Sequence, residues 1–575
     1  MARKALTLFI ILISMIAFVQ PSAAQSQSST ITLLHFSDYH SHALPFYAEG
    51  EANTAGIARA IAYLKPYAAD PNALIFSGGD TINLGAPVWS DKYRCVEWPW
   101  FNGIVDAMAF GNHDADYGPE VFAECQAQID YPILGANILD ADGQPLFLVD
   151  GKTYKVFEIN GLRIGVFAVA GDDFDSLVKE AQRPVAGATF GDKLSTAREI
   201  VTTLREQEQV NAVVLIGHSL YEEDIALAQA VPGIDLIFGT HSHRKENFMQ
   251  IPGTNTYFIS PFQYLGYISK VELSFSDGRL VGAQGELVRM SNNLPEDPEI
   301  VQRVAQLQAE LEADPQYAEL FQSIGSSAVE LSTEGSFTGE SVLGNFIMDI
   351  ARDATAAHLA LATSSTFRAS IAPGEILEAD LRTALPYSNE LLVFEMQGAV
   401  LQELLDYSVS RSSSDFFSQV SGVRFETDNG NAKAIQVLND PNNPSAGYSA
   451  LDPQAVYRVA TIDFQGLVAG GYKEIFAKAN GYSKTGIMLR DMLRDYIVAH
   501  SPVSASLDGR ISPARAEAIN QPELDPVQVP VEPTAPIPSQ LPNTSSGASL
   551  PLAWLMPLGL FLLVLGFGLA RSHKR

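Results

Sequence analysis

Two cysteines in 575 residues exclude a disulfide-built scaffold and a zinc site of four thiolates. Basic residues are scarce too: 37 Lys and Arg stand against 66 Asp and Glu, a formal charge of −29. A binder of nucleic-acid polymers needs basic surface to replace counterions, so that class is excluded. A nucleotide substrate is not, because a bound metal supplies local positive charge. There is no fixed-period repeat and no GxxxxGK[ST] phosphate loop. What is present is ample apolar material, 46% of the residues, enough for a sizeable core and too much for global disorder. The length asks for three or four domains, or two large ones with attachments.

The two ends differ from the body. Arg3 and Lys4 precede an apolar run over 5–19, and Pro21, Ser22, Ala23 and Ala24 follow, the pattern of a signal peptide over 1–24. An uncleaved N-terminal anchor is the alternative. Export would permit a Cys95–Cys125 disulfide, and two free buried thiols fit the sequence equally. At the other end, 517–548 is a Pro-rich linker and 549–570 an apolar segment long enough to span a bilayer. Arg571, Lys574 and Arg575 behind it would stay cytoplasmic. Leu541-Pro542-Asn543-Thr544-Ser545 resembles an LPxTG sorting signal with Ser545 in place of glycine. The expectation is an exported protein held at the outer face of the membrane or cell wall, its anchor the C-terminal helix.

Between about 31 and 290, strand-like apolar runs alternate with helix-like stretches, as in a layered α/β domain. Five runs end in similar chemistry. The run 31–36 leads to Asp38-Tyr39-His40, and 73–76 to Gly79-Asp80. The run 107–110 leads to Gly111-Asn112-His113-Asp114, 212–216 to Gly217-His218, and 234–238 to Gly239-Thr240-His241-Ser242-His243. Ligands of open α/β sheets gather beyond the carboxyl ends of strands. Asp, Asn and His offer the oxygen and imidazole donors that divalent metals take. Seven such donors exceed one tetrahedral ion and suit two ions sharing a carboxylate, the pair that clamps a phosphoryl displacement.

These motifs, in this order, resemble the calcineurin-like metallophosphoesterases, and more narrowly the secreted 5′-nucleotidase / 2′,3′-cyclic phosphodiesterase family, over roughly 30–515. The resemblance implies a four-layer α/β metallophosphoesterase domain over 30–290, and the helical spacing and many charges from Asp297 to about Leu320 predict a connecting helix within 291–325. A smaller α/β 5′-nucleotidase C-terminal domain would follow over 326–516. It implies that Asp38, His40, Asp80 and His243 hold one metal, and Asp80, Asn112, His218 and His241 the other, the ions being Zn, Mn, Co or Fe. His113 would stabilise the phosphoryl group and assist the leaving oxygen, with Asp116 orienting it, and a metal-bound hydroxide would attack.

In the second domain, Gly339–Asn345, Leu385-Pro386-Tyr387 and 419–425 resemble family segments, with Tyr387 stacking on a base and Arg368 binding phosphate or ribose. The departures are specific. Thr363 stands where the family has a base-contacting Asn, Tyr472 where an Asp contacts ribose, and Phe337 where many members carry an arginine. Phe464 lies near the second stacking aromatic. The function implied is hydrolysis of nucleotide phosphate esters, in nucleotide catabolism. The alternatives are a cyclic, sugar-nucleotide or other ester on the same metals, and a non-catalytic surface binding protein.

Overall fold

Leu33 and Leu34 are neighbours in sequence, yet each is fully buried in a different core, because successive strand residues face opposite sides of a sheet. That double burial marks a strand covered on both faces. The computed structural model describes residues 28–85 and 88–513, which fall in the compact unit Met1–Arg515. The expected signal peptide 1–24, linker 517–548 and anchor 549–570 lie outside the described residues. Among the described residues no helix is long and apolar enough to cross a membrane.

The first half builds two six-stranded sheets. One runs in the order Arg279–Arg289, Tyr267–Ser276, Ser28–Phe36, Ala73–Ser77, Ala107–Ala109, Ile133–Leu134. The other runs Lys245–Gln250, Tyr257–Pro261, Leu236–Phe238, Ala212–Leu215, Leu162–Phe167, Tyr154–Ile159. Their facing sides share one core, in which Ile31, Leu33, Leu74 and Phe76 meet Ile164, Val166, Val214 and Phe238. Outside the first sheet lies Ile57–Ala68, and outside the second lie Lys193–Thr202 and Tyr221–Ala230. Helix, sheet, sheet and helix make the four layers.

Within 291–325 the helix Pro298–Glu312 forms, its first turn capped by Asp297, whose carboxylate accepts from the N–H groups of Glu299 and Ile300, both at 3.1 Å. Ile300, Val304, Leu307 and Leu311, spaced on one helical face, bury against the first half. Beyond it a five-stranded sheet runs Ser418–Ser421, Leu359–Thr363, Val456–Ile462, Glu390–Gln397, Tyr482–Met488. Val342–Thr355 and Leu489–His500 cover one face and Gly398–Ser410 the other. The pairing that the sequence left open is present: Cys95 and Cys125 form a disulfide, Cα atoms 4.8 Å apart, and no cysteine is free.

Candidate metal centre

Asp38, His40, Asp80, Asn112 and His113 follow strands of the first sheet, and His218, His241 and His243 follow strands of the second. Both sheets therefore deliver side chains to one place. The backbone there is unusual. Asp38, His40, Asp80, His241 and His243 all have φ between 47° and 55°, the left-handed region that costs an L-residue about 1–2 kcal/mol. Such strain at five of seven candidate ligands points to a shape set by function. Gly111 is required by close approach, since a Cβ there would meet Asp80 Oδ1 at 2.2 Å.

The donors form three overlapping groups linked through His40 and Asp80. Asp38, His40 and His243 make one, His40, Asp80 and His113 a second, and Asp80, His218 and His241 a third, each with donor atoms within 4.8 Å of one another. Asp80 Oδ2 lies 3.2 Å from His218 Nε2 and 3.7 Å from His40 Nε2. His40 Nε2 stands 3.1 Å from His243 Nε2. Asn112 is buried beside them, and its Oδ1, like Asp38 Oδ1 and His218 Nε2, has no hydrogen-bond partner. A buried polar atom left unpaired costs about 1–3 kcal/mol, and Asp38 Oδ1 and His218 Nε2, 3.9 Å apart, fit a cation between them. His218 Nδ1, 2.7 Å from Gly78 O, donates there and leaves the Nε2 lone pair for a metal. Burial opposes the charge on Asp80, but His218 and His113 outweigh it and hold the carboxyl well below its ordinary range.

His113 stands apart from these ligands in its bonding, although it also reaches His40 and Asp80. Its backbone N–H donates to Asp80 Oδ1 at 2.8 Å, and its Nδ1 lies 2.7 Å from Asp116 Oδ2. Burial disfavours a charge on the ring, but Asp116, Tyr387 and Asp80 together outweigh it, and His113 is pushed up to about 10. The protein thus supplies a protonated imidazole beside the donor cluster.

Both expected substrate residues of the second half reach this centre. Arg368 Nη2 donates to Tyr387 Oη at 3.2 Å, and Arg368 Nη1 donates to His243 Nδ1 at 2.7 Å. A guanidinium has no lone pair, so His243 presents Nε2–H, 3.3 Å from Asp38 Oδ1. A metal at that Nε2 requires His243 to lose the proton and Arg368 to release the ring.

Asp173 and Asp415 escaped the sequence reading of the site, and Asp114, part of the Gly111–Asp114 motif, was given no role there. Asp114, fully buried, accepts from the N–H groups of Asp80 (3.1 Å), Thr81 (2.7 Å) and Gly111 (2.8 Å), tying two ligand loops together. Asp173 Oδ2 lies 2.9 Å from His241 Nε2. Asp415, almost wholly buried, faces His243, Arg368, His241 and Arg411. Tyr472 is buried, its hydroxyl donating to Phe416 O at 2.7 Å, so it braces the loop that carries Asp415. Phe464 and Phe416 line, with Asp173 and Arg411, a cavity of about 240 Å³.

Residues 31–245 match the family model of the calcineurin-like phosphoesterases, and residues 323–478 that of the 5′-nucleotidase C-terminal domain, together more than half of the chain. The chain is 26% identical to the 5′-nucleotidase of Vibrio cholerae, over 84% of this chain and 92% of that one. It is 24% identical to the trifunctional nucleotide phosphoesterase protein YfkN of Bacillus subtilis, over 84% of this chain, but spans only 35% of that relative's length. The crystal structure of the 5′-nucleotidase precursor from Thermus thermophilus superposes with a TM-score of 0.67 at 26% identity, covering 85% of this chain and all of that one. The chain belongs to the calcineurin-like phosphoesterases that carry a 5′-nucleotidase C-terminal domain, and it is a hydrolase of phosphate ester bonds.

Proposed function

We propose that the protein is a surface-anchored, dinuclear metal-dependent phosphoesterase acting on nucleotides. The observation that carries the reading is the linking of the group Asp38, His40 and His243 to the group Asp80, His218 and His241 through the neighbouring His40 and Asp80, with buried orphan atoms on Asp38, Asn112 and His218. Asp38, His40, Asp80 and His243 would hold one ion, and Asp80, Asn112, His218 and His241 the other. When bound, such a pair supplies Lewis acidity and an activated water.

The chain's own residues do the rest. His113, kept protonated by Asp116, stabilises charge on the phosphoryl oxygens and hands its Nε2 proton to the leaving oxygen. Arg368, once free of His243, binds the phosphate or sugar oxygens in a fork. Tyr387 lies beside it for the organic part. The domains 30–290 and 326–516 close on the substrate from two sides, joined through 291–325. Export and anchoring rest on the patterns over 1–24 and 549–570, and the Cys95–Cys125 disulfide suits an oxidising compartment.

A second reading keeps the metals and changes the ester to a sugar nucleotide or a cyclic phosphate. Burial of Tyr472, where relatives would use an Asp on ribose, favours it. Phosphate release from AMP, UDP-glucose, 2′,3′-cyclic AMP and an aryl phosphate, with Mn²⁺, Zn²⁺ or Co²⁺, tests both. AMP hydrolysis lost in Asp80→Ala is the expected result. Turnover of the aryl phosphate alone sinks the nucleotide reading, and metal binding with no turnover at all sinks the enzymatic one.

A further inference from the structure

His241 is held from two sides. Its backbone N–H donates to Asp38 Oδ2 at 3.2 Å, and its Nε2 lies 2.9 Å from Asp173 Oδ2. Asp173 comes from the turn after Leu162–Phe167, a strand end from which the sequence suggests no ligand. The next residue, Phe174, is fully buried, and its ring centroid lies 5.8 Å from that of His218 and 6.0 Å from that of His241. The turn is therefore packed against both imidazoles of one donor group. A metal-ligating imidazole keeps one ring proton, and giving Nε2–H to Asp173 leaves the lone pair on Nδ1.

We propose that Asp173 is a positioning residue that fixes the tautomer and ring orientation of His241, so that Nδ1 serves the ion shared with Asp80 and His218. The proposal rests on the dinuclear reading. It makes the affinity of one ion depend on a carboxylate that touches no metal. The effect belongs to that ion alone, since Asp173 bonds no member of the group Asp38, His40 and His243.

Calorimetric titration of Mn²⁺ into the metal-stripped full chain tests it. The parent protein binds two ions. In Asp173→Asn and Asp173→Ala one of the two binds about 10–100-fold more weakly while the other keeps its affinity, and Asp173→Glu recovers part of the loss. Two ions in the parent with both affinities unchanged in Asp173→Asn overturns the role of Asp173 alone. Equal weakening of both ions in all three variants, with a lowered Tm, assigns Asp173 a merely structural role and also overturns it. Fewer than two ions in the parent overturns the dinuclear reading and this inference with it.

Discussion

Asp116 is the strongest of the partners that favour a charge on His113. The pair is 2.7 Å apart and largely buried, so the carboxylate works with little screening by water. Asp116→Asn keeps the shape and removes the charge. It is expected to lower kcat about 10–100-fold with two metals still bound, because loss of a poised acid slows proton transfer rather than binding. Steady-state kinetics beside metal analysis checks this, and loss of metal together with activity would place Asp116 in the ligand scaffold instead. At this scale the seven candidate ligands were legible because each follows an apolar run by a few residues. Asp114 was legible as a motif residue but not as a brace, since two of its three partners, Asp80 and Thr81, sit on another loop, 34 and 33 residues away. Asp173 is 68 residues from His241, and Arg368 is 125 from His243. No local pattern signals such pairings.

The strands were legible as elements because burial on both faces demands continuous apolar runs. Their ends shift by a residue or two, as in Ala212–Leu215 and Leu236–Phe238. The helical spacing after Asp297 continues to about 320, yet the helix stops at Glu312. Pro315 follows, and a proline disfavours helix in the residue before it. Tyr472 opens the short helix Tyr472–Phe476 instead of lying in a substrate turn. Its ring packs on Tyr407 with centroids 4.8 Å apart, a contact with a distant helix that no spacing announces. The cap of Pro298–Glu312 carries a prediction of its own. Asp297→Ala removes two backbone acceptor contacts and the ion pair with Lys65, and should cost about 1 kcal/mol. Lys65 is half exposed, so its share is small. Calorimetry should show Tm lower by about 1–3 °C. No shift would mean that burial of Ile300, Val304, Leu307 and Leu311 holds the helix without its cap.

Across the whole molecule, the two halves meet at the donor cluster. Arg244 Nη1 donates to Ser413 O at 3.2 Å, Arg411 pairs with Glu222 at 3.5 Å, and Arg368 lies on His243. The second half thus closes over side chains that the first half strains into place. The sequence made the two-part architecture legible through its motifs, whereas the seam between the parts depends on side chains far apart in the chain. Two ions flanking Asp80 are the centre of the proposed chemistry. Anomalous scattering from crystals of the full chain loaded with Mn²⁺ tests this most directly. Two peaks about 3.5–4 Å apart are expected, one beside Asp38, His40 and His243 and one beside Asn112, His218 and His241, with Asp80 between them. A single peak, or peaks away from Asp80, would contradict the proposed chemistry.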